Sequence, residues 1–216
     1  MENAISVSVP GGNDSAVSQM AEKIPDYLIR EIIDGISFYY GDYREMMKLE
    51  EEGKFSLGDF FRVIVKNGIH GIIRPQIDEA AYWLWIGEGG LEIDTRNILA
   101  LPIVVFDRKI LTPDKITDKY ADVPPKIVIE MDINAALPGS EMELFSHFVL
   151  RKVRRLIAFG TEKVVWIFSK SKLVLVASSN EPMQILDWNE DVELFDGIKF
   201  NVAKYLEEEG INPDAD

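Results

Sequence analysis

The chain contains the stretch Lys126-Ile127-Val128-Ile129-Glu130-Met131-Asp132, which lies between Pro124-Pro125 and Asn134. A short run of apolar and β-branched residues between turn-forming residues predicts a strand buried in a sheet. Because side chains alternate between the two faces of a strand, Glu130 and Asp132 should point to the same face. Buried carboxylates are costly unless they are paired, hydrogen-bonded or bound to a metal. This strand therefore predicts a site as well as a core element.

The composition is that of a globular protein without cysteine chemistry. Of the 216 residues, 47% are hydrophobic and 28% are charged, with no cysteine and two histidines. The lack of cysteine excludes disulfides, thiolate metal sites and a cysteine nucleophile, and two histidines argue against a histidine-rich zinc site. The first 21 residues lack the pattern of a secretory signal, and no run is long enough to span a membrane. We therefore expect a cytoplasmic protein that does not bind membranes.

The net charge of −14, with a pI near 4.6, bears on the partners of the chain. A field of this sign repels phosphate backbones. Non-specific binding of nucleic acids should be weak unless basic residues are concentrated locally.

Periodicity and turn residues predict an α/β domain around a mixed sheet. Asp34-Gly35 is a two-residue turn signal inside a hairpin over Arg30–Tyr40. Helical composition follows over 42–53, and a second helix is expected from Ser56, ended by Asn67-Gly68.

The middle of the chain predicts more sheet. The segments 81–86 and 91–93 read as a hairpin joined by a turn at 87–90. Leu99–Phe106 is a further strand, in which Pro102 indicates an edge, a strand start or a bulge.

The second half of the chain predicts one long helix and then strands. Ser140 and Glu143 form a capping box for a helix that ends near Gly160. Four strand-like segments follow, at 164–168, 172–177, 183–186 and 192–195, and Asn201 caps a last helix. Residues 1–23 are interpreted as a flexible arm and 212–216 as a tail.

Lys152 occupies an unusual position on the long helix. It follows Phe148 by four residues and precedes Leu156 by four, so it lies within the apolar arc, whereas the neighbouring arginines lie opposite. The side chain either extends to water at the edge of the arc or reaches the carboxylates of the Glu130 strand. The second interpretation gives an acid pair neutralised by a metal or by lysine.

Several short motifs, in order, resemble the Uma2 family, formerly described as a domain of unknown function and as a restriction-endonuclease domain. The resemblance covers roughly Ile24 to Ile211, which we take as one domain. It rests on Arg30–Gly35, Ile127–Glu130, Lys152–Gly160, Val164–Ile167, Asp187-Trp188 and Asp196-Gly197.

The resemblance implies a restriction-endonuclease-like, PD-(D/E)xK fold, with a mixed central β-sheet flanked by α-helices and an N-terminal β-hairpin. It also implies a Mg²⁺ (or Mn²⁺) dependent phosphodiesterase that acts on DNA. Glu130 matches the strand acid, Lys152 a lysine supplied from the helix, and Glu31 the acid of the first segment. In such sites carboxylates hold the cation, which activates a water molecule, while the lysine positions that water.

One position departs from the family pattern. The first metal-binding Asp of the family falls at Pro102 or Ile103, and neither side chain can ligate a cation. Asp132 is a substitute because it should share a face with Glu130; Asp94 and Asp107 are alternatives. Two hypotheses follow: a metal-dependent endonuclease with Glu130 and Asp132 as metal ligands, or a catalytically inactive binding or assembly protein. A homo-oligomer is left open.

Overall fold

A computed structural model describes residues 24–51, 60–133 and 145–214 of the chain. The expected arm at 1–23, the helix start at Ser56, the capping box at Ser140 and the last two residues lie outside these ranges. Among the described helices, none has both the length and the apolar composition needed to cross a membrane.

The described residues form ten strands and four α-helices. The strands are β1 (Ile29–Ile33), β2 (Ile36–Tyr39), β3 (Tyr82–Asp94), β4 (Asn97–Asp107), β5 (Ile127–Met131), β6 (Lys163–Phe168), β7 (Leu173–Ser178), β8 (Gln184–Asp187), β9 (Val192–Phe195) and β10 (Ile198–Phe200). The helices are α1 (Tyr43–Glu51), α2 (Phe60–Ile73), α3 (Arg151–Phe159) and α4 (Val202–Glu208), and a π-helical segment, Phe145–Leu150, leads into α3.

Eight strands form one sheet in the order β2-β1-β4-β5-β6-β7-β8, with β3 paired to β4. β5 and β6 are parallel, and the other pairs are antiparallel, so the sheet is mixed. β9 and β10 form a separate hairpin. The predicted α/β architecture with a mixed central sheet is confirmed.

The core lies in two layers, one on each face of the sheet. Ile129 and Met131 of β5 pack in the layer that contains residues of α2 and α4, whereas Val128 packs in the layer of α3. Because β5 alternates in this way, Glu130 falls on the face that α3 covers.

The predicted Asp34-Gly35 turn is confirmed, and Asp196-Gly197 forms a second turn of the same kind. Asp34 and Gly35 have φ of 57° and 76°, and Asp196 and Gly197 have 51° and 78°. Positive φ at both central residues gives a turn whose twist matches that of the strands, and both pairs close hairpins. Helix α3 ends at Gly160, where φ is 118°, as the sequence predicts. Asn201 caps α4 as predicted, since its Oδ1 accepts a hydrogen bond from the Lys204 backbone at 2.9 Å.

The predicted turn at 87–90 is wrong, because β3 runs through it to Asp94. Ile86 pairs with Ile103 and Gly89 pairs with Leu101, so β3 has one extra residue there. This β-bulge, with φ of 152° at Gly87, absorbs the glycines without ending the strand. Pro102 lies opposite the bulge in an internal strand, so of its three interpretations the bulge is the correct one.

The predicted end of α2 at Asn67-Gly68 is also wrong, since the helix continues to Ile73. A Cβ at Gly68 would lie 2.0 Å from Cζ of Tyr205, so α2 packs closely against the Tyr205 ring of α4 at this glycine. The residue serves close packing between helices rather than a cap.

Candidate functional site

The arrangement around β4 creates the site. Ile98 of β4 pairs with Ile32 of β1, and Ile103 pairs with Ile129 of β5, while β3 pairs along the other edge. β1 and β5 therefore share one edge of β4, one near each end. Between them, the backbone from Leu99 to Pro102 has no strand partner on this edge among the residues that the structure describes.

Three charged side chains meet at this gap. Glu31 comes from β1, Glu130 from β5 and Lys152 from α3. The Lys152 ammonium lies 2.9 Å and 2.8 Å from the two carboxylate oxygens of Glu31, and 2.6 Å from Oε1 of Glu130. It also donates to the carbonyl oxygen of Ala100 at 2.7 Å, in the gap itself. We call Glu31, Glu130 and Lys152 the buried trio.

Lys152 enters the core because α3 turns this position toward the sheet. Its side chain is 0% exposed, and Val153 and Leu156 beside it are buried in the same layer. The rings of Phe148 and Trp166 lie 5.8 Å and 5.9 Å from the ammonium, within the range of cation–π attraction. These contacts confirm that Lys152 reaches Glu130 of the predicted strand, and the interpretation that it extends to water is wrong. The second carboxylate that it contacts is Glu31 of β1, and not Asp132.

The trio contains two carboxyl groups, and two cationic side chains contact them. Besides Lys152, Arg30 contacts Glu31, with 3.2 Å between Nε and Oε1. Burial raises the pKa of the Glu31 carboxyl above its usual 4.5, because the loss of hydration outweighs the attraction of the Lys152 ammonium, and the Glu130 carboxylate raises it further.

Asp132 does not join the trio in the structure. β5 ends at Met131, and Asp132 has a left-handed φ of 53°, so the alternation of the strand no longer applies. Its carboxylate accepts hydrogen bonds from the Ser169 backbone at 2.7 Å and from the Ser169 hydroxyl at 2.8 Å. Arg62 of α2 approaches it at 3.4 Å. The strand prediction extended one residue too far, and Asp132 anchors the β6–β7 turn.

The alternative acids are also engaged in local turns. Asp94 accepts from the Arg96 backbone at 2.8 Å and from the Asn97 amide, and Asp107 accepts from the Lys109 backbone at 2.7 Å. Ile103 is 1% exposed and packs in the layer of α2 and α4.

The residues that surround the trio do not fit a Mg²⁺ site. Such a cation needs several oxygen ligands and usually keeps waters. Here the two carboxylates already contact an ammonium, and their side chains are 0% and 4% exposed. No group of three or more acidic or histidine side chains among the described residues could hold a metal ion.

Two partners of the trio carry little sequence signal. The Ala100 carbonyl is a backbone group, and only the register of β4 places it there. The sequence assigns Arg30 no role, and Glu31 beside it is easily read as an ordinary surface or strand-edge charge. A signal for Arg30 was its place beside Glu31 at the start of the predicted hairpin.

Comparison with known proteins supports the fold. No family model matches the chain, and no curated protein is similar to it in sequence. A crystal structure of a putative nuclease belonging to DUF820, from Anabaena variabilis, is similar with a TM-score of 0.53 and 12% identity. The likeness covers 82% of this chain and 89% of that chain. The chain has a mixed α/β fold of the restriction-endonuclease-like, nuclease-like type.

Proposed function

We propose that this protein is a nuclease-fold binding module related to the Uma2 family, in which the buried trio does not cleave phosphodiesters. One observation carries the proposal. The Lys152 ammonium lies between the Glu31 and Glu130 carboxylates, at 2.8 Å and 2.6 Å, with 0% of its side chain exposed.

Metal-assisted hydrolysis needs a cation, a water and a phosphate in one open site. In the buried trio the ammonium stands between the carboxylates, and it also uses the Ala100 carbonyl. The position that should supply another carboxylate holds Pro102 or Ile103. These features support an ionic cluster that joins β1, β5 and α3, and they leave binding as the function of the fold.

The second candidate is a Mg²⁺ or Mn²⁺ dependent endonuclease acting on DNA. It is favoured by the convergence of Glu31, Glu130 and Lys152, which are the residues that the family resemblance marks as catalytic. In this case Lys152 must leave at least one carboxylate to admit a cation.

One experiment separates the two candidates. The native protein, the Glu130→Gln variant and the Glu193→Gln variant are each titrated with Mg²⁺ or Mn²⁺ by calorimetry. Glu193 is an exposed residue of β9, so its variant controls for binding by surface acids. Supercoiled plasmid DNA with either cation serves as substrate. We expect the same weak binding in all three proteins and no cleavage.

Cation binding lost only in Glu130→Gln, together with DNA cleavage lost in Glu130→Gln and Lys152→Met, would overturn the proposal and establish the endonuclease. Circular dichroism of each variant checks that it is folded.

A further inference from the structure

A basic pocket lies on the outer face of α3, beside the β1–β2 turn. Its volume is about 460 Å³. The lining residues are Asp34, His147, Arg151, Arg154, Arg155 and Ala158. Lys152 points the other way, so this basic pocket lies apart from the buried trio.

Helical spacing brings the basic side chains together. Arg154 and Arg155 follow Arg151 by three and four residues on α3, and His147 of the preceding π-helical segment also lines the pocket. Side chains at these spacings are neighbours on one face of a helix, and like charges there repel one another. Such a cluster is costly in a free helix, and an anion held among the guanidinium groups offsets that cost.

Asp34 supplies one such anion. Its Oδ2 lies 3.3 Å from Nη1 of Arg151, and its Oδ1 contacts Nη2 of Arg155. Arg154 is exposed and also lines the pocket. Asp34 therefore contacts two of the three guanidinium groups, and Asp94 lies within electrostatic reach of Arg155. Three arginines stand against two carboxylates here, in a chain whose net charge is −14. The pocket therefore carries a local excess of positive charge, although the net charge of the whole chain is negative.

The shape and chemistry of the pocket point to phosphate. A guanidinium group presents a rigid fork of donors that matches phosphate oxygens, and its hydrogen bonds to charged oxygens are short and strong. A long polyanion would meet the repulsive field of the remaining surface. A compact dianion at the end of a ligand avoids that field and enters the concave pocket.

We propose that the basic pocket binds a terminal phosphate monoester, carried by a nucleotide or by the end of a nucleic acid strand, and that Asp34 holds the arginines in place until the phosphate displaces it. The inference rests on the proposed function in one respect: the phosphate monoester is the ligand of the proposed binding module. The phosphate site itself does not depend on whether the buried trio is catalytic.

The test is fluorescence anisotropy with a short labelled oligonucleotide carrying either a 5′-phosphate or a 5′-hydroxyl. We expect binding of the phosphorylated form alone. Arg154→Ala should weaken it about tenfold, as expected for the loss of a hydrogen bond to a charged group. Arg74→Ala, an exposed arginine on another element, is the matched control and should bind like the native protein.

Asp34→Asn provides a second readout. Asparagine tolerates the left-handed φ of 57° at this turn, so the hairpin is retained. If the carboxylate competes with phosphate, this variant should bind the phosphorylated oligonucleotide several-fold more tightly. A residue with a purely structural role would give weaker or unchanged binding.

Competition identifies the source of the phosphate. Displacement by a 5′-mononucleotide or by inorganic phosphate supports a small phosphorylated ligand, and displacement by phosphorylated oligonucleotides alone supports a nucleic acid end. Equal affinity for the 5′-phosphate and 5′-hydroxyl forms would overturn the inference, as would equal effects of Arg154→Ala and Arg74→Ala. Neither result would alter the metal titration, so failure of this inference is distinguishable from failure of the proposed function.

Discussion

Replacing Lys152 by methionine removes the cation that joins β1, β5 and α3. Methionine has a similar length and is apolar, so the packing against Phe148 and Trp166 is largely retained. The change leaves Glu31 and Glu130 buried without the ammonium that lies 2.8 Å and 2.6 Å from them. Only Arg30, 3.2 Å from Glu31, remains as a cationic partner among the contacts described above.

The magnitude follows from these distances. At 2.6 Å and an effective dielectric constant near 20, the attraction between Lys152 and Glu130 is roughly 6 kcal/mol before the cost of removing both ions from water. Breaking a buried ion pair by removing one partner typically costs about 3–5 kcal/mol net. For a chain of this size that corresponds to a fall in Tm of about 6–20 °C. This is a large part of a total stability of about 5–15 kcal/mol.

The assay is urea unfolding at neutral pH, followed by the fluorescence of tryptophan, since Trp166 is buried 5.9 Å from the ammonium. Two further measurements separate charge from packing. The deficit of Lys152→Met should shrink as the pH falls toward 4.5, because burial raises the pKa of Glu31 and its protonation removes charge that the lysine balanced. The triple variant Glu31→Gln, Glu130→Gln and Lys152→Met should recover most of the lost stability.

Two results would refute this reasoning. Unfolding of Lys152→Met at the same urea concentration as the native protein would show that the ammonium makes no net contribution to stability. An equal deficit at pH 4 and pH 7 would assign the loss to packing rather than to the carboxylates left without the ammonium.

Three other substitutions have predictable outcomes. In urea unfolding, the stability of the native protein should fall more than that of Glu31→Gln as the pH is raised from 4.5 to neutrality. Because the pKa of Glu31 is raised in the folded state, its contribution to stability is complete below pH 4.5 and disappears as the pH rises. Gly68→Ala should destabilise the protein by about 1–3 kcal/mol, since its Cβ would overlap the Tyr205 ring. Gly71→Ala in the same helix, where a Cβ has open space, should instead stabilise by about 0.5–1 kcal/mol in thermal unfolding, and equal effects at both glycines would contradict this packing.

Local pattern was sufficient wherever neighbours in sequence decide the conformation. The Asp34-Gly35 turn, the Asn201 cap and the end of α3 at Gly160 follow from backbone preferences and capping groups within a few residues. Helical spacing alone placed Lys152 within the apolar arc of α3, and the contacts of its ammonium decided between water and the carboxylates. The turn, the cap and the helix end need no knowledge of the partner elements.

Local pattern failed where a distant element overrides a turn signal. The glycines at 87–90 remain in β3 because β4 supplies a continuous ladder and a bulge absorbs the extra residue. Gly68 remains in α2 because it packs against Tyr205 of α4. Asp132 leaves the face of Glu130 because its left-handed φ and its hydrogen bonds to Ser169 end the alternation.

By itself, the sequence determined that Glu130 would lie on a buried strand and Lys152 within the apolar arc of its helix, since apolar periodicity dictates which face of each element is covered. Only the tertiary structure decided which charges meet them. Glu31, separated from Lys152 by 121 positions in the chain, joins the site because β1 and β5 pair with the same edge of β4. Burial is a property of each segment, whereas the pairing of buried charges depends on strand order and register.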